Sequence, residues 1–369
     1  MEHLLEILKI IEGSLNADAG KVCAYVEQLA HKVETKGDRS AAERLRRSVN
    51  QSKARKLSLH RISPNGRVPV DSESRFSLAD EETYERSSSK VFLSAGTSKA
   101  VEEFIRYIKS ADKLIAQGVG ISPSLLIYGP PGCGKTELGR YIAAQLELPL
   151  INARIDSLVS SYLGSTAKNL RMLFEHAMAR PCVLFLDEFD AVAKLRDDKQ
   201  ELGELKRVVV SLLQNIDNLD AHTVLLAATN HEHLLDPAVW RRFAYKVHLP
   251  KPDAQIREKL FGHFLGSFAC EADISSFVAI SDGLTGSDIR QVCFDSAREA
   301  VLEGQAQIPR ATVINKLLRL RFTPEQFSQL SLGERIRSVR ELDPKLFTYR
   351  TLADVFGVSL GSIKDRLKT

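Results

Sequence analysis

The stretch GPPGCGKT, residues 129–136, decides the fold of this chain. It follows the apolar run SLLIY and leads into ELGRYIAAQL, whose apolar residues have helical spacing. Glycines between a strand and a helix let backbone N–H groups surround phosphates at the helix N-terminus, so we expect ATP there. Lys135 would reach the β- and γ-phosphates, and the Thr136 hydroxyl would bind Mg²⁺. The predicted nucleotide contacts are Gly129, Pro130, Pro131, Gly132, Cys133, Gly134, Lys135, Thr136 and Glu137.

Short apolar segments alternate with helical segments around this loop. The further strand candidates are LPLINAR, CVLFLD, TVLLAAT and YKVHLP, at residues 148–154, 182–187, 223–229 and 245–250. Such alternation is typical of a parallel sheet with helices on both faces. We therefore predict an α/β nucleotide-binding domain of the αβα type over residues 91–251.

The remaining segments differ from this domain in pattern. Apolar residues at helical spacing predict a helical N-terminal module over residues 1–51. Over residues 52–90 the periodicity disappears and Ser, Arg, Pro and Gly dominate, which indicates a flexible linker. A purely helical pattern predicts a lid over residues 252–307 and a C-terminal helical extension over residues 308–369.

Polar side chains follow two of the predicted strands. Asp187 and Glu188 end one apolar run, and Asn230 ends another. Parallel sheets bind ligands at the carboxyl ends of their strands. We expect Asp187 to hold Mg²⁺ through water, Glu188 to polarise the attacking water, and Asn230 to position that water. Asp190, two residues beyond Glu188, is open to a simpler role as a helix cap.

Two arginines, Arg241 and Arg242, stand side by side in LDPAVWRRF. Phosphoryl transfer gains from a cation that neutralises charge on the γ-phosphate in the transition state. Adjacent side chains on a helix point about 100° apart, so the two cannot easily serve one nucleotide of their own subunit. Insertion into a neighbouring subunit's site is one interpretation, and an ordinary surface pair is the other.

In order and spacing, GPPGCGKT, VLFLDEFD, TVLLAATN, LDPAVWRRF and SDGLTGSDI resemble the AAA branch of the AAA+ ATPases. The resemblance covers about residues 91–302. It implies hydrolysis of ATP with Mg²⁺, assembly usually as a hexamer, and a contact of Gly286 near the adenine and ribose. It also implies that Arg241 and Arg242 act on a neighbour's nucleotide. Many members have the spacing R-x-G-R-F, whereas the two arginines are adjacent here, so which one dominates stays open.

The same resemblance gives a meaning to YLG, Tyr162 to Gly164. In this family an aromatic-hydrophobic-Gly triplet lies on the loop after the second strand and faces a central pore. An aromatic ring can grip an extended polypeptide through apolar contacts, without sequence preference. We expect Tyr162, Leu163 and Gly164 to lie on a loop before an amphipathic helix. The alternative is that Tyr162 packs beneath that helix.

The segment YRTLADVFGVSLGSIKDRLK, residues 349–368, resembles the helix-turn-helix of bacterial sigma factors and response regulators. The spacing rests on Ala353, Gly357, Val358 and Ile363. Ser359 is expected to cap the second helix. Candidate DNA contacts are Arg350, Lys364, Arg366 and Lys368. Small folds of this kind also dock proteins, so the segment binds either DNA or protein.

Bulk composition narrows the class of protein. A chain of 369 residues is long enough for two or three domains, and a net charge of +4 is too small to indicate a nucleic-acid binder. The five cysteines are Cys23, Cys133, Cys182, Cys270 and Cys293. They form no CxxC pair, which argues against a zinc site or a disulfide framework. The charged N-terminus and the lack of a long apolar run predict a cytoplasmic protein without a membrane partner.

Three functions fit these features. The leading hypothesis is a ring-forming ATPase that unfolds or remodels a protein client. The alternatives are a DNA-directed AAA+ regulator anchored by the C-terminal motif, and a switch whose ATP-bound ring holds a partner enzyme. The layout also resembles bacterial AAA ATPases encoded beside a subtilisin-like protease in plasmid-incompatibility and phage-defence pairs. Any protease would be a separate chain, because the sequence contains neither GxSxG nor HExxH.

Overall fold

The computed structural model describes residues 26, 29–35, 39, 41–46, 69–71, 77–86, 90–158, 163–193, 202–219, 222–266, 274–321 and 330–368. The chain divides into two compact units, Met1–Arg67 and Val68–Thr369. In the first unit, residues 29–35 and 41–46 are helical, and an ion pair of 2.8 Å joins Arg46 to Glu34. The part of the predicted N-terminal module before residue 26 lies outside the described residues.

The second unit is built on a six-stranded sheet with the order β1-β3-β4-β5-β2-β6. The strands are β1 (Ala79–Glu82), β2 (Ser124–Tyr128), β3 (Leu150–Ala153), β4 (Cys182–Leu186), β5 (Thr223–Thr229) and β6 (Tyr245–His248). Strands β2 to β6 pair in parallel, and β1 pairs antiparallel with β3. The predicted α/β fold class is confirmed, and each strand expected from the sequence is present, some shorter than expected.

Helices cover both faces of this sheet and continue beyond it. In the sheet region they are α1 (Ala95–Lys109), α2 (Ala111–Ala116), α3 (Lys135–Leu146), α4 (Ile155–Leu158), α5 (Leu163–Met178), α6 (Asp190–Ala193), α7 (Leu202–Asp217) and α8 (Pro237–Arg242). Beyond the sheet they are α9 (Ala254–Leu265), α10 (Ser275–Ile280), α11 (Gly286–Leu302), α12 (Arg310–Arg321), α13 (Leu332–Leu342), α14 (Tyr349–Phe356) and α15 (Leu360–Lys368).

The alternation of side chains along each strand divides the core of the sheet region into two layers. Leu125 and Ile127 of β2 pack with apolar residues of α1 and α3. Leu126, between them, points to the other face and packs with residues of α5 and α7. Strands covered on both faces are therefore apolar at successive positions, which is why SLLIY is a continuous apolar run.

Strand β1 corrects part of the predicted linker. Residues 79–82 lie within the segment expected to be flexible, yet they form the edge strand of the sheet. Asp80 pairs with Arg154 at 2.8 Å, and Glu81 pairs with Arg180. Leu78, directly before the strand, is fully buried against the core. The second compact unit accordingly begins at residue 68, ahead of the expected boundary at 91.

The lid and the C-terminal extension share one hydrophobic core. Phe261 of α9 and Phe277 of α10 belong to the same buried cluster as Leu317 of α12, Leu352 of α14 and Ile363 of α15. The boundary expected between residues 307 and 308 therefore passes through a continuous core. Helices α14 and α15 are joined at Gly357, whose φ is +63°, and the Ser359 hydroxyl accepts the Ser362 N–H at 3.3 Å, as the expected cap requires.

Among the described residues, no helix combines the length and the apolar character needed to cross a lipid bilayer.

Candidate functional site

The loop from Gly129 to Thr136 joins the end of β2 to the start of α3. Gly129 has a φ of +144°, and a Cβ there would lie 2.2 Å from the carbonyl oxygen of Leu249, so only glycine fits. The buried Lys135 donates from Nζ to the carbonyl oxygens of Gly129 and Pro130, both at 2.7 Å. Burial lowers the pKa of Lys135 from its ordinary value. These contacts hold the ammonium group against the loop that would receive the phosphates.

Two oxygen groups meet where α3 begins and β4 ends. The Thr136 hydroxyl donates to Oδ2 of Asp187 at 2.6 Å. Oδ1 of Asp187 accepts the backbone N–H of Glu188 at 3.0 Å. The hydroxyl and the carboxylate expected to bind Mg²⁺ are therefore adjacent, although 51 residues separate them in the chain.

Glu188 and Asn230 follow neighbouring parallel strands, β4 and β5. Glu188 has a φ of +51°, an uncommon conformation for a residue with a side chain. Its side chain is exposed to solvent, and Asn230 is half-buried. Both line one cleft together with Lys135, which is the arrangement expected for activation of a water near a terminal phosphate.

The cleft has a volume of about 880 Å³ and is partly open to solvent. The predicted site residues that line it are Pro131, Gly132, Cys133, Gly134, Lys135, Thr136, Glu137, Asp187, Glu188, Asn230 and Gly286. Gly129 and Pro130 contribute their carbonyl oxygens to Lys135 instead. The structure thus brings four separated sequence motifs to one place.

The lid closes over the phosphate loop through backbone contacts. Ser287 donates its N–H to the carbonyl oxygen of Gly132 at 3.0 Å. Gly132 has a φ of +73°, and a Cβ there would lie 2.7 Å from Oγ1 of Thr285. Thr285 and Asp288 form a capping box that begins α11 at Gly286. The expected position of Gly286 beside the site is therefore found, on a lid helix whose start is fixed by its cap.

Several residues of the cleft were missed by sequence reasoning. The Phe92 ring lies 5.4 Å from the His263 ring, and the Phe264 ring lies 5.9 Å from the Phe294 ring. The Arg290 guanidinium lies 5.4 Å from the Phe294 ring. All of these side chains line the cleft. They come from three separated segments, so no local spacing indicates them.

Cys133 lies in the phosphate loop, close to Lys135. A thiol at a helix N-terminus beside a lysine is expected to have a lowered pKa. In this loop burial instead raises the pKa of the Cys133 thiol and outweighs the attraction of Lys135. The residue is better described as a small side chain that fills the loop.

The two arginines of α8 have different surroundings. Arg242 forms a bidentate pair with Asp217 of the same chain, at 2.9 and 3.0 Å. Arg242 is thus paired within its own subunit, as the interpretation of an ordinary surface charge implies for this residue. Arg241 is exposed and has no hydrogen-bond or ion-pair partner among the described residues. Neither arginine lines the cleft of its own chain.

The candidate pore segment is only partly described. Tyr162 lies outside the described residues. Leu163 and Gly164 are the first two residues of α5, so they begin a helix where a loop was expected.

The candidate DNA contacts lie on α14 and α15. Arg350, Lys364 and Arg366 are exposed. The carbonyl oxygen of Arg366 accepts bonds of 3.4 Å from Arg337 of α13, which ties α15 to its neighbour. The side chain of Lys368 lies outside the described residues.

Comparison with known proteins matches this chain to one family model. Residues 125–251 match the model of the ATPase family associated with various cellular activities (AAA). An uncharacterized AAA family ATPase of Sinorhizobium fredii is 34% identical over 77% of this chain and 86% of its own length.

Relatives of two further kinds match shorter parts of this chain. An ATP-dependent zinc metalloprotease of Conexibacter woesei, FtsH 1, is 32% identical over 66% of this chain, which spans 39% of that protein. A proteasome-activating nucleotidase of Saccharolobus islandicus is 30% identical over 60% of each chain. The chain therefore corresponds to only a part of these proteins.

Proposed function

The chain belongs to the AAA family of ATPases and hydrolyses ATP, and we propose that it does so as a subunit of a ring that unfolds or remodels a protein client. The family match supports the ATPase activity. The names of the metalloprotease and the proteasome-activating relatives connect such ATPases with protein substrates. The observation that carries the proposal is the cleft that joins Lys135, Asp187, Glu188 and Asn230.

In this site each residue acts on a different part of the triphosphate. Backbone N–H groups of the loop and the ammonium group of Lys135 neutralise phosphate charge in the bound state. Glu188 polarises the attacking water, and Asn230 orients it. Thr136 and Asp187 offer hard oxygen donors that suit Mg²⁺, which when bound would neutralise charge on the phosphate oxygens.

The cleft needs a further cation near the γ-phosphate. Assembly as a homo-oligomer, in the form of a hexamer, supplies it from a neighbouring subunit. Arg241 is the candidate that acts on a neighbour's γ-phosphate, because Arg242 is already paired with Asp217. Arg241→Ala subunits mixed with Lys135→Ala subunits should regain ATPase activity at interfaces that combine an intact cleft with an intact Arg241. Arg242→Ala alone should lose less activity than Arg241→Ala. Absence of recovery in confirmed mixed rings would argue against action across the interface.

Client capture tests the central proposal. Glu188→Gln rings with ATP should retain a client, because they bind the nucleotide without hydrolysing it. Addition of Tyr162→Ala should release the client, whereas Tyr162→Phe should retain it, because grip depends on the ring and little on the hydroxyl. Retention by the Tyr162→Ala ring would remove Tyr162 from the mechanism, and loss of thermal stability in that variant would show a packing role instead.

A finer form of the proposal concerns the partner and the setting. The ring would feed its client to a separate protease, or activate that protease, in bacterial defence or plasmid maintenance. Co-purification of a protease with the wild-type ring, dependent on ATP, tests this form. Client remodelling without any protease would leave the ring a remodelling ATPase alone.

A second candidate function is DNA-directed regulation. It is favoured by Arg350, Lys364 and Arg366, which are exposed on two helices joined by a tight turn. Binding of duplex DNA through these residues should weaken steeply as salt rises, because the contacts would be mostly to phosphates. Lys364→Ala/Arg366→Ala should abolish binding and leave ATP hydrolysis unchanged. A flat salt response would identify the segment as a protein-docking element.

A further inference from the structure

The ends of β4 and β5 carry the two residues that face the attacking water, Glu188 and Asn230. The parallel ladder between these strands reaches only Leu186 and Ala227. Beyond it, Phe189 donates its N–H to the carbonyl oxygen of Ala228 at 2.8 Å. Glu188 and Asn230 both lie beyond the ladder between β4 and β5, so their relative position also depends on side-chain contacts near the ends of these strands.

Asp190 makes those contacts. Its Oδ1 accepts the hydroxyl proton of Thr229 at 2.9 Å and the backbone N–H of Asn230 at 3.4 Å. Thr229 is fully buried, and its Oγ1 in turn accepts the N–H of His231 at 3.0 Å. One carboxylate thus joins the segment after β4 to the last residue of β5 and to the residue that follows it. The carboxylate is directed across the sheet, which differs from the helix-cap role left open by the sequence.

The backbone of Glu188 needs such support. Its φ of +51° is sterically unfavourable for a residue with a Cβ, and it persists only where neighbouring contacts hold the chain. On the preceding side, Asp187 accepts the N–H of Glu188 and the hydroxyl proton of Thr136. On the following side, the backbone bond from Phe189 to Ala228 and the Asp190 carboxylate bound to Thr229 and Asn230 hold the turn against β5.

We propose that Asp190 is a positioning residue for ATP hydrolysis, which acts through Thr229 and Asn230 to hold the Glu188 carboxylate and the Asn230 side chain around one water. Neither Asp190 nor Thr229 lines the cleft, so neither touches the nucleotide. The inference rests on the roles proposed above for Glu188 and Asn230. A residue that orients catalytic groups changes the rate of the chemical step and leaves nucleotide affinity nearly unchanged.

The test separates kcat from KM in variants at both ends of the contact. Asp190→Ala should lower kcat by about 10-fold to 100-fold and change KM by less than about threefold. Asp190→Asn keeps an acceptor oxygen and should retain most of kcat. Thr229→Val removes the hydroxyl at nearly constant volume and should lower kcat, whereas Thr229→Ser should restore it. Asp354→Ala, an exposed aspartate on α14, is the matched control.

The double variant distinguishes positioning from general packing. Because both side chains belong to one contact, Asp190→Ala/Thr229→Val should be no slower than the slower single variant. The proposal would be overturned if the rate losses of the two single variants multiplied in the double variant. It would also be overturned if kcat fell only in variants whose melting temperature fell as well. If Asp190→Ala does not fold, the comparison of Thr229→Val with Thr229→Ser still tests the proposal. Full hydrolysis by Glu188→Gln would reject the roles proposed above, whereas a normal kcat in Asp190→Ala beside an inactive Glu188→Gln would reject this inference alone.

Discussion

The two halves of the nucleotide cleft are built in different ways. The phosphate half comes from the ends of three adjacent strands and is held by short polar bonds, such as the 2.6 Å bond from Thr136 to Asp187. The other half, where we expect the base to pack against aromatic rings and which we call the base half, comes from residues 90–94, α9 and α11. Its side chains meet through ring contacts of 5.4 to 5.9 Å. Directional bonds to charged groups fix a reaction geometry, whereas ring contacts add affinity without a single required alignment.

The largest effect is expected in the phosphate half. Lys135→Ala should reduce ATP affinity by about 100-fold, because it removes a charged donor from the phosphates. Glu188→Gln should keep ATP affinity and lose hydrolysis, because the Glu188 carboxylate acts on the attacking water. Calorimetric titration with ATP measures the ATP affinity of both variants. Equal losses of affinity in the two would show that the phosphate half does not divide binding from catalysis.

The junction between the halves should be the next most sensitive. Gly132→Ala adds a Cβ 2.7 Å from Oγ1 of Thr285 at a φ of +73°, so it should displace the lid and weaken ATP binding by about tenfold. Gly262→Ala is the matched control, since nothing lies within 4 Å of the added Cβ on α9. Unchanged ATP affinity in Gly132→Ala would mean that lid contact is not needed for binding.

A smaller effect is expected in the base half. Phe92→Ala removes one ring from the contact with His263 and should weaken binding by about threefold to tenfold. The loss should be equal for ATP and ADP, because the base is common to both. Phe92→Leu should recover part of it through apolar contact. A loss of affinity for ATP but not for ADP would mean that Phe92 acts near the phosphates and not near the base.

The smallest effect concerns the thiol of the phosphate half. Burial raises the pKa of Cys133, so the reactive thiolate is scarce near neutral pH and becomes more abundant as pH rises. Alkylation of Cys133, followed by mass spectrometry, should be slower than that of a free thiol at pH 7 and should accelerate with pH. Bound ATP should slow it further. Faster alkylation than a free thiol at pH 7 would mean that Lys135 dominates burial.

The sequence predicted the phosphate half well because its residues lie in contiguous motifs. A strand, a glycine loop and a helix in succession leave few alternatives for Lys135 and Thr136, and apolar runs that end in Asp187 or Asn230 mark strand ends. The base half was missed because Phe92 and His263 are 171 positions apart, with no period that links them.

Long-range polar pairs were missed for the same reason. The partner of Arg242 is Asp217, 25 residues earlier, and both residues look like ordinary surface charges in the sequence. Strand β1 was missed because Asp80 and Glu81 have a composition typical of linkers, and their partners are distant in sequence: β3 for the backbone, and Arg154 and Arg180 for the two carboxylates. In both cases the structure depends on tertiary contacts between residues that are distant in sequence.

The edge strand has a consequence for how the protein can be shortened. A fragment that begins at Val91, the boundary drawn from composition, would leave the backbone N–H and C=O groups of β3 unpaired at an open edge. It would also uncover the core that Leu78 and Ala79 shield. An exposed edge of this kind is a template for pairing between molecules, so such a fragment would aggregate. A fragment that begins at Val68 keeps its own edge strand, with charged side chains that discourage the addition of a further one.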